Sequence, residues 1–346
     1  MDEKPKGTVC YAPMKILVLT SRRRKPSYRY RIAQFIPDLE SRGVTVQTIF
    51  LARRGVRFGT VLDCAEGADV VIVQKRLLRR VYLKRLRKRA RRLIYDVDDA
   101  VWCKDDGTPS LRLRKRFERT VRSADLVLAG NSYLAGVASD VCDSPVQLLP
   151  TVVDTEHYSP PSESKRIDHD SPFVLGWIGS TSTNTYLETL LQNFPAPKEH
   201  ERSYSLHAVS GSSEGLDSPP GLSFQFTEWT ADREVPVLRS FDAGVMPLPD
   251  NTWTRGKCGM KALLYMATGL PCVVSPVGVN RDIVIDGETG FVASDSEGWS
   301  RAFRALANDE DLRVQMGRAA RERAIGHWSK EAISPVFLQA LDVRSS

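Results

Sequence analysis

Residues 255–276 read RGKCGMKALLYMATGLPCVVSP. Gly256 and Gly259 set a tight loop, an apolar segment of helical length follows, and the segment stops at Gly269 before Pro271, where a glycine cap and a breaking proline belong. CVVSP then resumes as a β-branched strand. A glycine loop entering a helix aims free backbone N–H groups and the positive end of the helix dipole at one spot, which favours a phosphate. Lys257 and Lys261 place two ammonium groups beside it. A tight turn with solvated lysines accounts for the same pattern. The loop is not a Walker A motif, because Asn251 stands five residues before Gly256 and Cys258 follows Lys257.

Working outward, the strand AGVMPL (243–248) and the polar turn PDNTWT precede the loop. Farther upstream, FVLGWIG (173–179), YSLHAV (204–209) and LSFQF (222–226) alternate with helix-period segments, as CVVSP (272–276) does downstream. The first half repeats the plan with KILVLT (15–20), TVQTIFL (45–51), DVVIVQ (69–74), RLIYDV (92–97), DLVLAG (125–130) and VQLLP (146–150). A single helix is expected from Tyr30 to Arg42, ended by Gly43. Alternating strands and helices imply an α/β protein with two Rossmann-like, doubly wound parallel-sheet domains facing across a cleft. The proline-, serine- and charge-rich stretch TEHYSPPSESKRIDHDSP (155–172) reads as the linker. The expected division is 1–155, a linker at 156–171, 172–327, and a last helix at 328–346.

Composition narrows the class. In 346 residues, 42% are hydrophobic and 26% charged, a mix that folds and stays solvated. No segment approaches the roughly 20 apolar residues that cross a bilayer, and no apolar leader opens the chain, so a cytoplasmic protein is expected. The six cysteines (Cys10, Cys64, Cys103, Cys142, Cys258 and Cys272) show no CxxC spacing and the five histidines form no ligand pair with them, so reduced thiols and no metal are expected. Neither half carries GxGxxG after a strand, and the turn after the first strand, TSRRRKPSY, has no glycine, which argues against a nicotinamide or flavin cofactor. GSSEG (211–215) matches GxSxG formally but is followed by LDSPPG rather than a helix, so no hydrolase elbow is read there.

Three other groups bear on chemistry. RLIYDVDDAVW (92–102) ends a strand in Asp96, Asp98 and Asp99, at the cleft end of the sheet. A carboxylate there could accept a proton or bind a sugar hydroxyl, whereas a helix cap and a turn aspartate explain the same residues. Asp96-x-Asp98 also looks like a metal-binding DxD. Past the first strand come Arg22, Arg23, Arg24, Lys25, Tyr28, Arg29 and Arg31, which could receive an anion or line a solvated loop; Arg29 and Arg31, at a helix start, are the favoured pair. The formal net charge of +7 is concentrated between Lys75 and Arg92, where KRLLRRVYLKRLRKRARR holds eleven basic residues. A helix packed by its leucines with solvated arginines is one reading, and contact with an anionic membrane another. Nucleic acid is not expected, since the run lacks aromatic interleaving.

The segment FDAGVMPLPDNTWTRGKCGMKALLYMATGLPCVVSPVGVNRDIVIDGETGFVASDSEGWSRAF (241–303), together with YDVDDAVW, ADLVLAGNSYLA and LLPTVVDTEHY, resembles the GT-B glycosyltransferases of family 4. The resemblance implies a hexosyltransferase-type enzyme that takes a nucleoside-diphosphate sugar as donor substrate, with no cofactor and no metal, and transfers with retention to a glycan, lipid-linked or small-molecule acceptor. Donor contacts then fall on Gly179, Ser180, Gly256, Lys257, Cys258, Gly259 and Lys261, and catalytic roles on Asp98, Asp99 and Lys257. Acceptor contacts fall on Tyr28, Arg29, Arg31 and Asn131. The last helix is expected to cross back onto the first domain. Two departures stand out: the family's E-x7-E pair falls on Gly256 and Leu264, and its Gly-Arg reads Gly179-Ser180. An epimerase or phosphorylase on the same plan, or a scaffold that has lost turnover, therefore stays open.

Overall fold

A computed structural model describes residues 13–23, 25–52, 55–161, 171–195, 197 and 201–343. Cys10, Arg24 and positions 162–170 of the expected linker lie outside the described residues.

The first sheet holds β1 (Lys15–Thr20), β2 (Thr45–Phe50), β3 (Val70–Gln74), β4 (Arg92–Val97), β5 (Leu126–Ala129) and β6 (Val146–Leu148). Its order is β2-β1-β3-β4-β5-β6, with every pairing parallel. Runs such as VVIVQ are buried along their whole length because helices cover both faces. Alternation divides them between two cores: Leu17, Leu19, Val71 and Val73 face one layer, and Ile16, Val18, Val70 and Ile72 the other.

The second sheet holds β7 (Phe173–Ile178), β8 (Tyr204–Ser210), β9 (Ser223–Glu228), β10 (Ala243–Met246), β11 (Cys272–Val274) and β12 (Gly290–Val292). Its order is β12-β11-β10-β7-β8-β9, again parallel. Two Rossmann-like domains result. Strand order reverses between β1 and β3 in the first sheet and between β7 and β10 in the second. A crevice opens beyond the carboxyl ends of the strands at such a reversal.

One expected element differs. Tyr30–Arg42 is not a continuous helix: a helix at Pro26–Arg31, a 3-10 turn at Ala33–Phe35 and a helix at Ile36–Ser41 replace it. Pro37 lacks the N–H that would continue the ladder, so it sits in the first turn of the third piece. Gly43 follows with φ +76°.

The chain returns to its first domain at the end. Helix Lys330–Ala340 buries Ile333, Phe337 and Ala340, with Leu341, among Ile16, Val18 and Phe35. The Phe35 and Phe337 rings lie 4.7 Å apart. Where the chain turns back, the Val153 N–H donates to the Trp328 carbonyl at 2.9 Å, and Val153 and Ser329 form a parallel bridge.

Candidate active site between the domains

The glycine loop is built from both sides. The short helix Thr252–Arg255 starts at Asn251, whose side chain accepts from the Thr254 N–H at 3.0 Å in a capping box. Gly256 follows, and a Cβ there would lie 2.6 Å from the Ala100 backbone nitrogen of the first domain. Gly259 takes φ +68°, a left-handed conformation that favours glycine, and opens helix Met260–Ala267. Between them the Cys258 thiol donates to the Asp98 carbonyl at 3.4 Å. Burial pushes that thiol up to about 12, so it is neutral. The loop is thus seated against Asp98–Ala100, with its helix start at the mouth of the interdomain crevice.

Charged groups converge on this seat. Lys257 Nζ donates to Asp99 Oδ1 at 2.9 Å and stands 4.5 Å from the centre of the Trp253 ring. Lys75, the residue after β3, comes from the first domain to pair with Asp99 and lies 3.6 Å from Asp98 Oδ1. It holds φ +58°, uncommon outside glycine, while its N–H donates to the Asp96 carbonyl at 2.7 Å. Burial alone would raise the Asp98 carboxyl, yet Lys75 and Arg31 outweigh it and hold the group below the usual carboxylate range. Asp98 is therefore an anion at neutral pH, suited to accept hydrogen bonds and weak as a base.

Lys261 differs from both other lysines. Its ammonium has no carboxylate partner among the described residues and stands 5.3 Å from the centre of the Trp177 ring. Burial, then the neighbouring Lys257, pushes it down to about 7. Gly179 borders the same indole, since a Cβ on it would meet the Trp177 ring at 2.4 Å. Ser180, next in the chain, shares a 3.0 Å hydrogen bond with Ser182. Tyr186 adds a phenol beside Trp253, raised by burial against the pull of Lys257. The arrangement offers an anion backbone N–H donors, two ammonium groups and the partly exposed rings of Tyr186 and Trp253, whereas Trp177 is fully buried in the domain core.

Three of the residues expected to contact an acceptor are buried and hydrogen-bonded within the protein. Arg31, 1% exposed, donates through Nε to Asp96 at 3.0 and 3.1 Å and through Nη1 to the Leu149 carbonyl at 2.7 Å. Its fork is spent beneath the cleft floor. Tyr28 is buried edge-on to Phe50, with its hydroxyl 3.3 Å from Thr48 Oγ1. Asn131 caps its helix through Oδ1 and donates from Nδ2 to the carbonyls of Arg255 and Lys257 at 3.3 and 2.9 Å, which ties the two domains together. Arg29 remains partly exposed but pairs with Glu234 of the second domain at 3.2 Å. Asp96, read as half of a DxD, is engaged by Arg31 and by Gln74 at 3.0 Å.

Sequence reasoning missed Lys75, Trp177, Trp253 and Tyr186. Lys75 carries a signal, since it directly follows a strand at the cleft end, but the basic run that it opens masks that signal. GSSEG proves to be a turn after β8, with no helix behind the serines.

Comparisons with known proteins now bear on this geometry. The family model described as Glycosyl transferases group 1 matches residues 172–309. The matched segment, most of the second domain, is similar to that family. The match takes in the whole segment from Gly179 through Lys261. The chain is 29% identical over 119 residues to the lipopolysaccharide core biosynthesis glycosyltransferase LpsE of Rhizobium meliloti, covering 34% of this chain and 33% of that protein. It is 32% identical over 117 residues to a D-inositol 3-phosphate glycosyltransferase of Pseudarthrobacter chlorophenolicus, covering 33% and 25%. These alignments span a third or less of each relative's length.

Solved structures extend the likeness over both domains. Sucrose-phosphate synthase from Thermosynechococcus elongatus superposes with a TM-score of 0.75 at 15% identity, covering 95% of this chain and 98% of that one. Alr3699/HepE of Anabaena, solved in complex with UDP-glucose, gives 0.70 at 15% identity, covering 96% and 100%. The two domains thus form a GT-B fold.

Proposed function

We propose that the protein transfers a glycosyl group from a nucleoside-diphosphate sugar to a hydroxyl acceptor, the donor resting on the second domain and the acceptor entering from the first. The observation that carries this reading is Lys261: an ammonium with no carboxylate partner among the described residues, in the first turn of helix Met260–Ala267 and next to Lys257. A cation so far desolvated is costly unless an anion joins it. A diphosphate supplies that charge. In transfer, the bond from the anomeric carbon to the β-phosphate oxygen breaks and its electron pair leaves with the diphosphate. The acceptor oxygen bonds to the carbon, and the acceptor proton passes to the released diphosphate. Negative charge grows on the leaving group, where the lysines and peptide N–H groups are already oriented. Resemblance to family 4 further implies retention at the anomeric carbon and no requirement for a metal.

The missing glutamates have a packing account. Gly256, at the first position, lies against Ala100, and Leu264, at the second, is buried in the core of its domain. A donor-binding scaffold without turnover is the second reading, favoured by those two residues alone. A thermal-shift series with UDP, GDP, ADP and TDP decides between them when followed by product analysis with the matching labelled sugar nucleotide. UDP is the first candidate, because Alr3699/HepE was solved with UDP-glucose. Stabilisation plus transfer to acceptor supports the enzyme; stabilisation without transfer or hydrolysis supports the scaffold; no stabilisation by any of the four sinks both. Isomerised sugar from donor alone would point to an epimerase.

A further inference from the structure

The basic run between Lys75 and Arg92 does not stand alone in the fold. Helix Arg80–Arg89 packs beside helix Leu111–Ser123, and both cover the same side of the first sheet. Glu118 is the only carboxylate on either helix, and Arg114 and Arg122 engage it. Arg79, Arg80, Arg112 and Arg116 have no carboxylate partner among the described residues. The second helix therefore continues the patch that the first begins.

These cations gather at one end. Each helix runs back to the start of the next strand, ending within three residues of β4 or β5, so both helix starts lie at the cleft end of the sheet. No acidic residue occupies the first turn of either helix, and Arg79 and Arg80 stand at the positive end of the dipole, where a cation is disfavoured. Arg116 shows the crowding: its guanidinium is pushed below its ordinary value by burial first and then by Arg112, Arg79 and Arg119. Helix stability does not explain such a cluster. Each helix start also exposes an aliphatic side chain, Leu111 at 71% and Val81 at 57%.

We infer that this two-helix face docks the protein on an anionic lipid bilayer with the cleft mouth turned toward the headgroups. Clustered arginines draw the protein to negative headgroups, and the exposed aliphatics insert at the interface. No helix among the described residues is long and apolar enough to cross a membrane, so contact is made from the surface. A lipid-linked acceptor would follow from combining this face with the reading above; the docking itself does not depend on that reading.

The test is sedimentation of the full chain with vesicles of phosphatidylcholine alone or enriched in phosphatidylglycerol. The full chain is expected to bind the anionic vesicles and to be released by salt. Combined Arg79→Gln, Arg80→Gln, Arg112→Gln and Arg116→Gln should weaken binding by at least about tenfold. Leu111→Ser should lower the fraction that persists at high salt. Both variants should keep the unfolding temperature and the nucleotide shift of the parent, which separates loss of docking from loss of the donor site. Equal binding to both vesicle types, or unchanged binding by the four-fold variant, overturns the inference. Preference for soluble heparin over anionic vesicles, without a Leu111 effect, overturns it in favour of a soluble polyanion.

Discussion

Lys257 of the second domain donates to Asp99 of the first at 2.9 Å, while Lys75 holds the same carboxylate from its own domain. One carboxylate is thus shared by two lysines, one from each domain. On the proposed reading, a diphosphate would compete with Asp99 for Lys257. Asp99→Asn is therefore expected to tighten nucleoside-diphosphate binding by about three- to tenfold, as read by calorimetry. Weaker binding would show that Asp99 supports the anion site instead of competing for it.

Lys261 gives the site a pH signature. Free, it titrates near 7; joined by a diphosphate, it is held protonated well above that. Binding then takes up a proton above pH 7, and affinity falls by up to about tenfold for each unit of rising pH. Calorimetry at pH 8 in two buffers of different ionisation heat should show uptake approaching one proton, and Lys261→Met should remove it. The same residue affects folding with a definite sign. Its folded value lies below the unfolded one, so the unfolded chain binds more protons between about 7 and 10.5, and stability rises with pH over that window.

Gly256→Ala separates interdomain packing from nucleotide binding. The backbone conformation there suits any residue, yet the added methyl would lie 2.6 Å from the Ala100 nitrogen. The domains must part slightly. Turnover is expected to drop by at least about tenfold, with nucleotide affinity within twofold and a larger radius of gyration by scattering. Undiminished transfer would mean that the loop does not need this contact.

Arg31→Met should act on folding. Removing one partner of a buried ion pair leaves the other charge stranded, at about 3–5 kcal/mol. Asp96 is that partner, with Gln74 as its remaining donor. Urea denaturation measures the loss; a change below about 1 kcal/mol would show that Asp96 protonates or finds water at little cost.

Much of the fold was legible because burial on both faces forces runs such as VVIVQ and CVVSP, which no solvated segment would carry. The glycine loop was legible too, since Gly259 needs φ +68° and helix starts leave N–H groups free. The roles of Arg31 and Asn131 were not. Each depends on a partner far along the chain, Asp96 for one and the Arg255 and Lys257 carbonyls for the other, and a local pattern shows a polar residue without showing what it meets. Lys75 was hidden by its neighbours: in a run of eleven basic residues, only the end of β3 distinguishes it.

The return of the chain through Ser329 has a mechanical meaning. Two covalent strands join the domains, and the Val153 N–H bonded to the Trp328 carbonyl keeps them side by side. A pair of parallel tethers bends about the line through both but resists twisting and sliding. Any parting of the domains would then be confined to one rotation, and closing would return Lys257 to the same place against Asp99.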